Sequence, residues 1–175
     1  MAKRVALREL QARLATRLQQ ARTEVRIRSW LAVECADQGF LLPLATAGEI
    51  FPVGPLLPVP HTQAWFIGVA NLRGGLHGVV DLAAFLGLRA PMAADAVREQ
   101  SQLLTFNANQ SAHCAVLVDR LAGLRNATQL VAETADETAR PAFARARWRD
   151  AEGRLWQEID LAELARNEQF GAIAA

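Results

Sequence analysis

From residue 29 onward the chain breaks into short apolar runs rich in Val, Leu, Ile and aromatics, and Gly or Pro interrupts them about every eight to twelve residues. Runs this short, bounded by turn formers, suit the strands of a barrel or sandwich better than helices. They predict strands at Trp30 to Cys35, Phe40 to Thr46, Glu49 to Val53, Trp65 to Arg73, Leu76 to Asp81, Leu103 to Asn107, Cys114 to Asp119, Leu124 to Thr128, Ala144 to Arg149 and Leu155 to Ile159. Helical spacing appears only briefly within this stretch, at Leu82 to Leu86 and Leu161 to Arg166. The fold class read from the residues is all-β with short helices.

The pattern occurs twice. A shift of 79 residues pairs Gly74 with Gly153, Leu76 with Leu155, Val80 with Ile159, Asp81 with Asp160, Leu82 with Leu161 and Ala83 with Ala162. Smaller shifts pair Leu44 with Val118, Ile50 with Leu124, and the run from Trp30 to Val33 with that from Gln102 to Thr105. The order of elements is the same in both halves, which predicts two similar lobes of about five strands each. Residues 89–100, containing Ala90-Pro91-Met92, read as the connector. Asp81 and Asp160 each precede a short helix and are placed to accept its unpaired backbone N–H groups.

Before the strands, Leu7, Leu10, Leu14, Leu18, Ala21 and Val25 recur at steps of three and four, so residues 5 to 25 read as an amphipathic helix. Residues 1–28 hold eight Lys or Arg against Glu9 and Glu24, a local balance of +6, so the rest carries −5 within a net charge of +1. A basic arm of this kind suits an acidic partner or lipid surface, although a solvated arginine face is the commoner reading. The domain division is therefore a basic helix over 1–28 and a β domain over 29–170. A hydrophobic content of 51% supplies a core for it. No run approaches the roughly 20 apolar residues of a membrane span, and Met1-Ala2-Lys3-Arg4 lacks a signal peptide's apolar region. The default expectation is a cytoplasmic protein without membrane insertion.

Catalytic chemistry is hard to assemble from what remains. Cys35 and Cys114 have no partner at metal-ligand spacing and read as small buried hydrophobes. His61, His77 and His113 have no His three or four residues away. There is no G-x-S-x-G elbow and no phosphate-binding loop ending in Gly-Lys-Ser/Thr. Asp81 and Asp160, an imaginable carboxylate pair, fall in different lobes as helix caps. The sequence therefore predicts no catalytic residue, no metal and no cofactor. A nucleic-acid-binding barrel is the rival of another class, resting on Arg145, Arg147, Trp148 and Arg149, where arginines alternate along a strand. Tyrosine is absent and the body is acidic, both against that rival, and no nucleic-acid partner is expected.

The run Gly68-Val69-Ala70-Asn71-Leu72-Arg73-Gly74, followed by a strand ending in Asp81-Leu82, resembles the signature of the CheW-like family, Gly-Val-x-Asn-Leu-Arg-Gly and then Asp-Leu. Leu57-Pro58-Val59-Pro60 is similar to that family's Pro-containing lead-in, Gly39 to Leu44 to its second strand, and Ala115 to Leu121 to its Val-Asp-x-Val element. The likeness covers residues 29 to 166. It implies two intertwined five-stranded SH3-like barrels and a non-catalytic adaptor. The implied partners are the regulatory domain of a CheA-type histidine kinase and the cytoplasmic tip of a chemoreceptor. His77-Gly78 stands where the family commonly has an apolar-Pro pair, and the leading helix is longer than the minimal unit. Both features are similar to the PilI type of pilus-linked systems that control twitching motility, with flagellar chemotaxis as the near alternative.

The partner-binding residues expected from this reading are Val69, Asn71, Leu72, Arg73, Gly74 and Asp119. Arg73 stands first among them. Its guanidinium either braces the adjacent turn or projects as a fork for a partner carboxylate. Val69 and Leu72 are core or interface residues, and Asp119 is a partner contact or an acceptor for turn N–H groups.

Overall fold

The computed structural model describes residues 28–97, 99–107, 113–133 and 140–175. The helix expected over residues 5 to 25 lies outside them. The first half of the strand region holds β1 (Ser29–Cys35), β2 (Gln38–Pro43), β3 (Ala47–Pro52), β4 (Phe66–Leu72) and β5 (Gly75–Asp81), then helix α1 (Leu82–Phe85). The second holds β6 (Gln102–Phe106), β7 (Cys114–Val118), β8 (Arg120–Asn126), β9 (Val131–Ala132), β10 (Ala144–Arg149) and β11 (Leu155–Ile159), then α2 (Leu161–Arg166) and α3 (Glu168–Gly171). Between them the expected connector contains one 3-10 turn, Ala94–Ala96. Strand β9 and helix α3 add to the expected set. Two residues carry too little periodicity to be read as a strand, and α3 depends on Asn167 Oδ1 accepting the Phe170 N–H at 3.1 Å.

The strands pair into two sheets, ordered β8-β1-β2-β11-β10-β9 and β3-β6-β7-β5-β4. Each sheet takes strands from both halves of the chain. If the halves are superposed by the sequence repeat, with β1 on β6, β2 on β7, β3 on β8, β4 on β10 and β5 on β11, the two orders coincide apart from the added β9. The parallel contacts also correspond, β2 beside β11 and β7 beside β5. The repeat is thus expressed as two equivalent sheets that have exchanged hairpins, and not as two consecutive blocks of chain. Both recorded orders are open, with no ladder among the described residues joining the end strands of a sheet.

Burial explains why the exchanged hairpins sit in the middle. Trp30 to Cys35, Leu103 to Phe106 and Ala115 to Val118 are apolar on nearly every residue, the composition of a strand covered on both faces. Along β1 the side chains alternate: Leu31, Val33 and Cys35 enter a large central cluster with Leu104, Phe106, Val116, Val118, Ile159 and Leu161. Trp30 and Ala32 point away into a second cluster with Leu41, Leu130 and Trp156. The other sheet does the same, turning Leu103, Ala115 and Leu117 toward Ile67, Ala70, Leu72 and Val79. One cluster joins the sheets, and each sheet carries a further one of its own.

Both helix caps form as their sequence context predicts. Asp81 Oδ1 accepts the Ala83 and Ala84 N–H groups at 3.1 and 3.3 Å, and Asp160 Oδ1 accepts those of Ala162 and Glu163 at 2.9 and 3.3 Å. Each cap contributes about 1 kcal/mol.

Candidate partner-binding site

Strands β4 and β5 are joined by a two-residue turn, Arg73-Gly74, with Leu72 opposite Gly75. Both turn residues have positive φ, +50° and +84°. That is the condition for the turn type whose twist matches a hairpin, and Gly at the second position meets it without steric cost. Asn71 Oδ1 accepts the Gly74 N–H at 2.9 Å and closes the turn from the exposed side. The bracing role considered for Arg73 therefore belongs to Asn71.

Arg73 itself leaves the hairpin. Its side chain is 74% exposed, pairs with Glu49 on β3 at 2.8 Å and lies 5.7 Å from the centre of the Phe51 ring. Glu49 is itself more than half exposed, so the pair contributes about 0–1 kcal/mol to folding.

Beside Arg73 lies a groove of ≈ 730 Å³ between β3 and β4, whose lining includes Ile50, Phe51, Leu57, Val69 and Leu76. Asn71 and Leu72 also border it. Ile50, Leu57 and Leu76 are exposed, a local cluster of large apolar side chains. Leu57 reaches this place because its backbone exchanges two 2.9 Å hydrogen bonds with Val69. That approach requires Gly68, where φ is +147° and a Cβ would stand 2.3 Å from the Leu57 carbonyl oxygen. The leading glycine of the Gly68 to Gly74 run thus shapes one wall of the groove, and the trailing one shapes its tip.

Of the six expected residues, Val69, Asn71, Leu72 and Arg73 come together at this groove, and Gly74 lies in the same turn. Leu72 is buried, so it supports the surface from within. Asp119 does not line the groove. Its Oδ2 accepts the Ala36 N–H at 2.7 Å and its Oδ1 accepts from Arg89 Nη1 at 2.6 Å. Arg89 in turn donates to both oxygens of the buried Asp81, at 2.8 and 3.1 Å. This network explains how the β1–β2 turn tolerates Ala36 and Asp37 at φ +49° and +62°, since Asp119 holds the strained backbone directly. Sequence reading missed Arg89 because nothing in its spacing marks it. It also missed Glu49, Leu57 and Leu76 as groove residues, because contacts between strands cannot be read from local pattern.

A second ionic network surrounds the buried Glu34 on the other sheet. Glu34 on β1 accepts from Arg120 Nε at 3.0 Å and Arg154 Nη1 at 2.6 Å. Burial pushes its carboxyl up, but hydrogen bonds and charge from Arg120 and Arg154 outweigh this and leave it below its ordinary value of 4.5. Burial drives both thiols to about 12, with the Asp119 charge adding to the effect at Cys35, so neither is available as a thiolate nucleophile.

The arginines proposed for nucleic acid are engaged within the chain. Arg145 pairs with Asp160 at 3.2 Å, Arg147 donates to Gln157 at 3.2 Å, and Arg149 pairs with Glu133 at 2.7 Å. Trp148 packs on Trp30 and donates to Glu158 at 2.9 Å, so it offers no free stacking platform. A cavity of ≈ 840 Å³ near Leu44 is larger than the groove, but its charges are already matched, Glu158 with Arg28 and Asp160 with Arg145. Among the described residues no group of three or more His, Cys, Asp or Glu is placed to hold a metal, and no helix is long and apolar enough to cross a membrane.

Comparison with known proteins gives a consistent result. The CheW-like domain profile matches residues 29–169. The chain is 38% identical over 63 residues to the chemotaxis protein CheW of Rhizobium meliloti, covering 36% of this chain and 41% of that protein. It is 26% identical over 114 residues to the protein PilI of Pseudomonas aeruginosa, covering 65% of this chain and 61% of PilI. These alignments thus span less than two thirds of each relative. The crystal structure of the scaffolding protein TtCheW from Thermoanaerobacter tengcongensis superposes with a TM-score of 0.65 at 15% identity, over 83% of this chain and 91% of that one.

Proposed function

The chain belongs to the CheW-like family, and on that premise we propose that it is a non-catalytic cytoplasmic adaptor coupling chemoreceptors to a CheA-type histidine kinase. One observation carries the reading: the family's Asn-Leu-Arg-Gly turn presents an exposed guanidinium at the end of an apolar groove. An amphipathic helix laid into such a groove buries its apolar stripe against Ile50, Leu57 and Leu76, and Arg73 pairs with an acidic residue on it. The cytoplasmic tip of a receptor is a partner of that form, and the kinase's regulatory domain is the second partner. Within this reading Val69, Asn71, Leu72, Arg73 and Gly74 form or support the docking surface. Asp119 acts through the Ala36 turn. The domain runs over 29–170, its two sheets are the two SH3-like barrels of the family, 89–100 is the connector between halves, and 1–28 is an added basic element.

The match to PilI favours control of type IV pilus twitching motility as the output. The flagellar alternative rests on the higher identity to the CheW of Rhizobium meliloti over a shorter stretch. The test is titration of the full chain against the regulatory domain of the CheA-type kinase from the same organism, and against a receptor tip. Arg73→Ala is expected to keep its unfolding midpoint and to weaken binding to one partner by about tenfold or more, as expected for a charge-assisted pair. A folded variant that binds both partners as the parent does sinks the reading.

A further inference from the structure

We propose that His77 and His113 form a binding site for a divalent transition metal ion. Although 36 positions separate them, β5 and β7 run parallel with Gly78 opposite Cys114, which sets the two histidines side by side at the start of the pairing. The Gly78 N–H donates to the His113 carbonyl at 3.0 Å and fixes the two backbones there. The imidazole centres are 6.1 Å apart with the ring planes at 67°.

Two features of the pair point to a metal ion. The first is the hydrogen bond between His77 Nδ1 and the Gly75 carbonyl oxygen, 3.0 Å long. A carbonyl only accepts, so Nδ1 carries the proton and the neutral ring keeps its lone pair on Nε2. Metal-bound histidines use this outer contact to set tautomer and ring direction. The second is reach. With metal–nitrogen bonds of about 2 Å, two imidazoles on one tetrahedral ion have centres roughly 5 Å apart, and wider angles increase that distance. His113 is exposed, so a turn about its side-chain bonds closes the difference.

Cys114 does not join them. It opens β7 directly after His113 and faces the other way, packing against the central cluster with its thiol pushed up to about 12. No third His, Cys, Asp or Glu completes a set among the described residues. Water fills the remaining positions, and two imidazoles without a thiolate rank copper above zinc. His77 lies in the same hairpin as Arg73, but the site does not depend on the adaptor reading.

The test is calorimetric titration of the full-length, untagged protein with Cu²⁺ and with Zn²⁺, alongside the spin resonance spectrum of the copper form. One saturable equivalent is expected, tighter for Cu²⁺, with a spectrum showing imidazole nitrogens. His77→Ala and His113→Ala should each weaken binding about tenfold or more, and His61→Ala should leave it unchanged. Absence of saturable binding, retention of parental affinity by His113→Ala, or loss on His61→Ala overturns the proposal. If His77→Ala does not fold, the exposed His113 variant decides it alone.

Discussion

The Arg73 hairpin and the hairpin around Gly153 occupy equivalent places in the two sheets and share local chemistry. Gly74 and Gly153 have the same φ of +84°, and in each turn a short polar side chain, Asn71 or Asp150, accepts a backbone N–H at 2.9 or 2.8 Å. Their charged side chains go in opposite directions. Arg73 extends outward to an exposed glutamate. Arg154 folds back, pairing with Glu34 and lying 4.7 Å from the centre of the Trp156 ring. Asp150 accepts the Trp156 indole N–H at 2.8 Å, and the ring lies so close to β2 that a Cβ on Gly39 would stand 2.6 Å from it. The second hairpin is committed to holding the sheet together, and the first is left available. A repeated fold has thereby separated a copy committed to packing from one whose charged side chain stays exposed, the property the proposed docking role requires.

That contrast sets the expected size of each perturbation. Trp156→Ala should cost about 3–5 kcal/mol, the range for emptying a buried aromatic site, measured as a lowered denaturation midpoint. Arg154→Ala should cost about 1–3 kcal/mol, because Glu34 stays buried with Arg120 as its remaining partner. The same carboxylate makes the fold acid-sensitive. Its proton is held less tightly in the folded chain than in the unfolded one, so its stabilisation is complete above pH about 4.5 and declines as pH falls below that value. Unfolding midpoints of Glu34→Gln and the parent, followed from pH 6 to about 3, should converge toward the acid end. A constant gap across that range would remove Glu34 from the account. At the small end, Arg73→Ala should shift stability by no more than about 0.5 kcal/mol. A loss of 2 kcal/mol there would erase the distinction between the hairpins.

The class of the fold is legible in the residues because apolar runs and turn formers are local signals, and the repeat is legible because the Asp81 and Asp160 caps reproduce it. Hairpin exchange is not written in any local run. β1 reads identically whether it pairs with its own half or with β8, and the choice depends on burying Trp30 and Leu31 on opposite faces at once. At the candidate site, Asn71 to Gly74 follows from turn chemistry and from the family resemblance. The groove wall does not, since it needs the Leu57 segment laid against Val69. Asp119 shows the limit most plainly. Its residue type allows partner contact or turn support, and only the position of Ala36 places it in the second role.

The exchange of hairpins has a consequence for synthesis. β2 is made well before its partner β11, so one flank of the β1–β2 hairpin stays uncovered until β11 has left the ribosome. A fragment ending after α1 would contain β3, β4 and β5 without the β6–β7 pair that their sheet requires. Neither half can therefore mature ahead of the other. Assembly is governed by contacts distant in sequence, which favours slow, all-or-none folding over stepwise completion of the repeats.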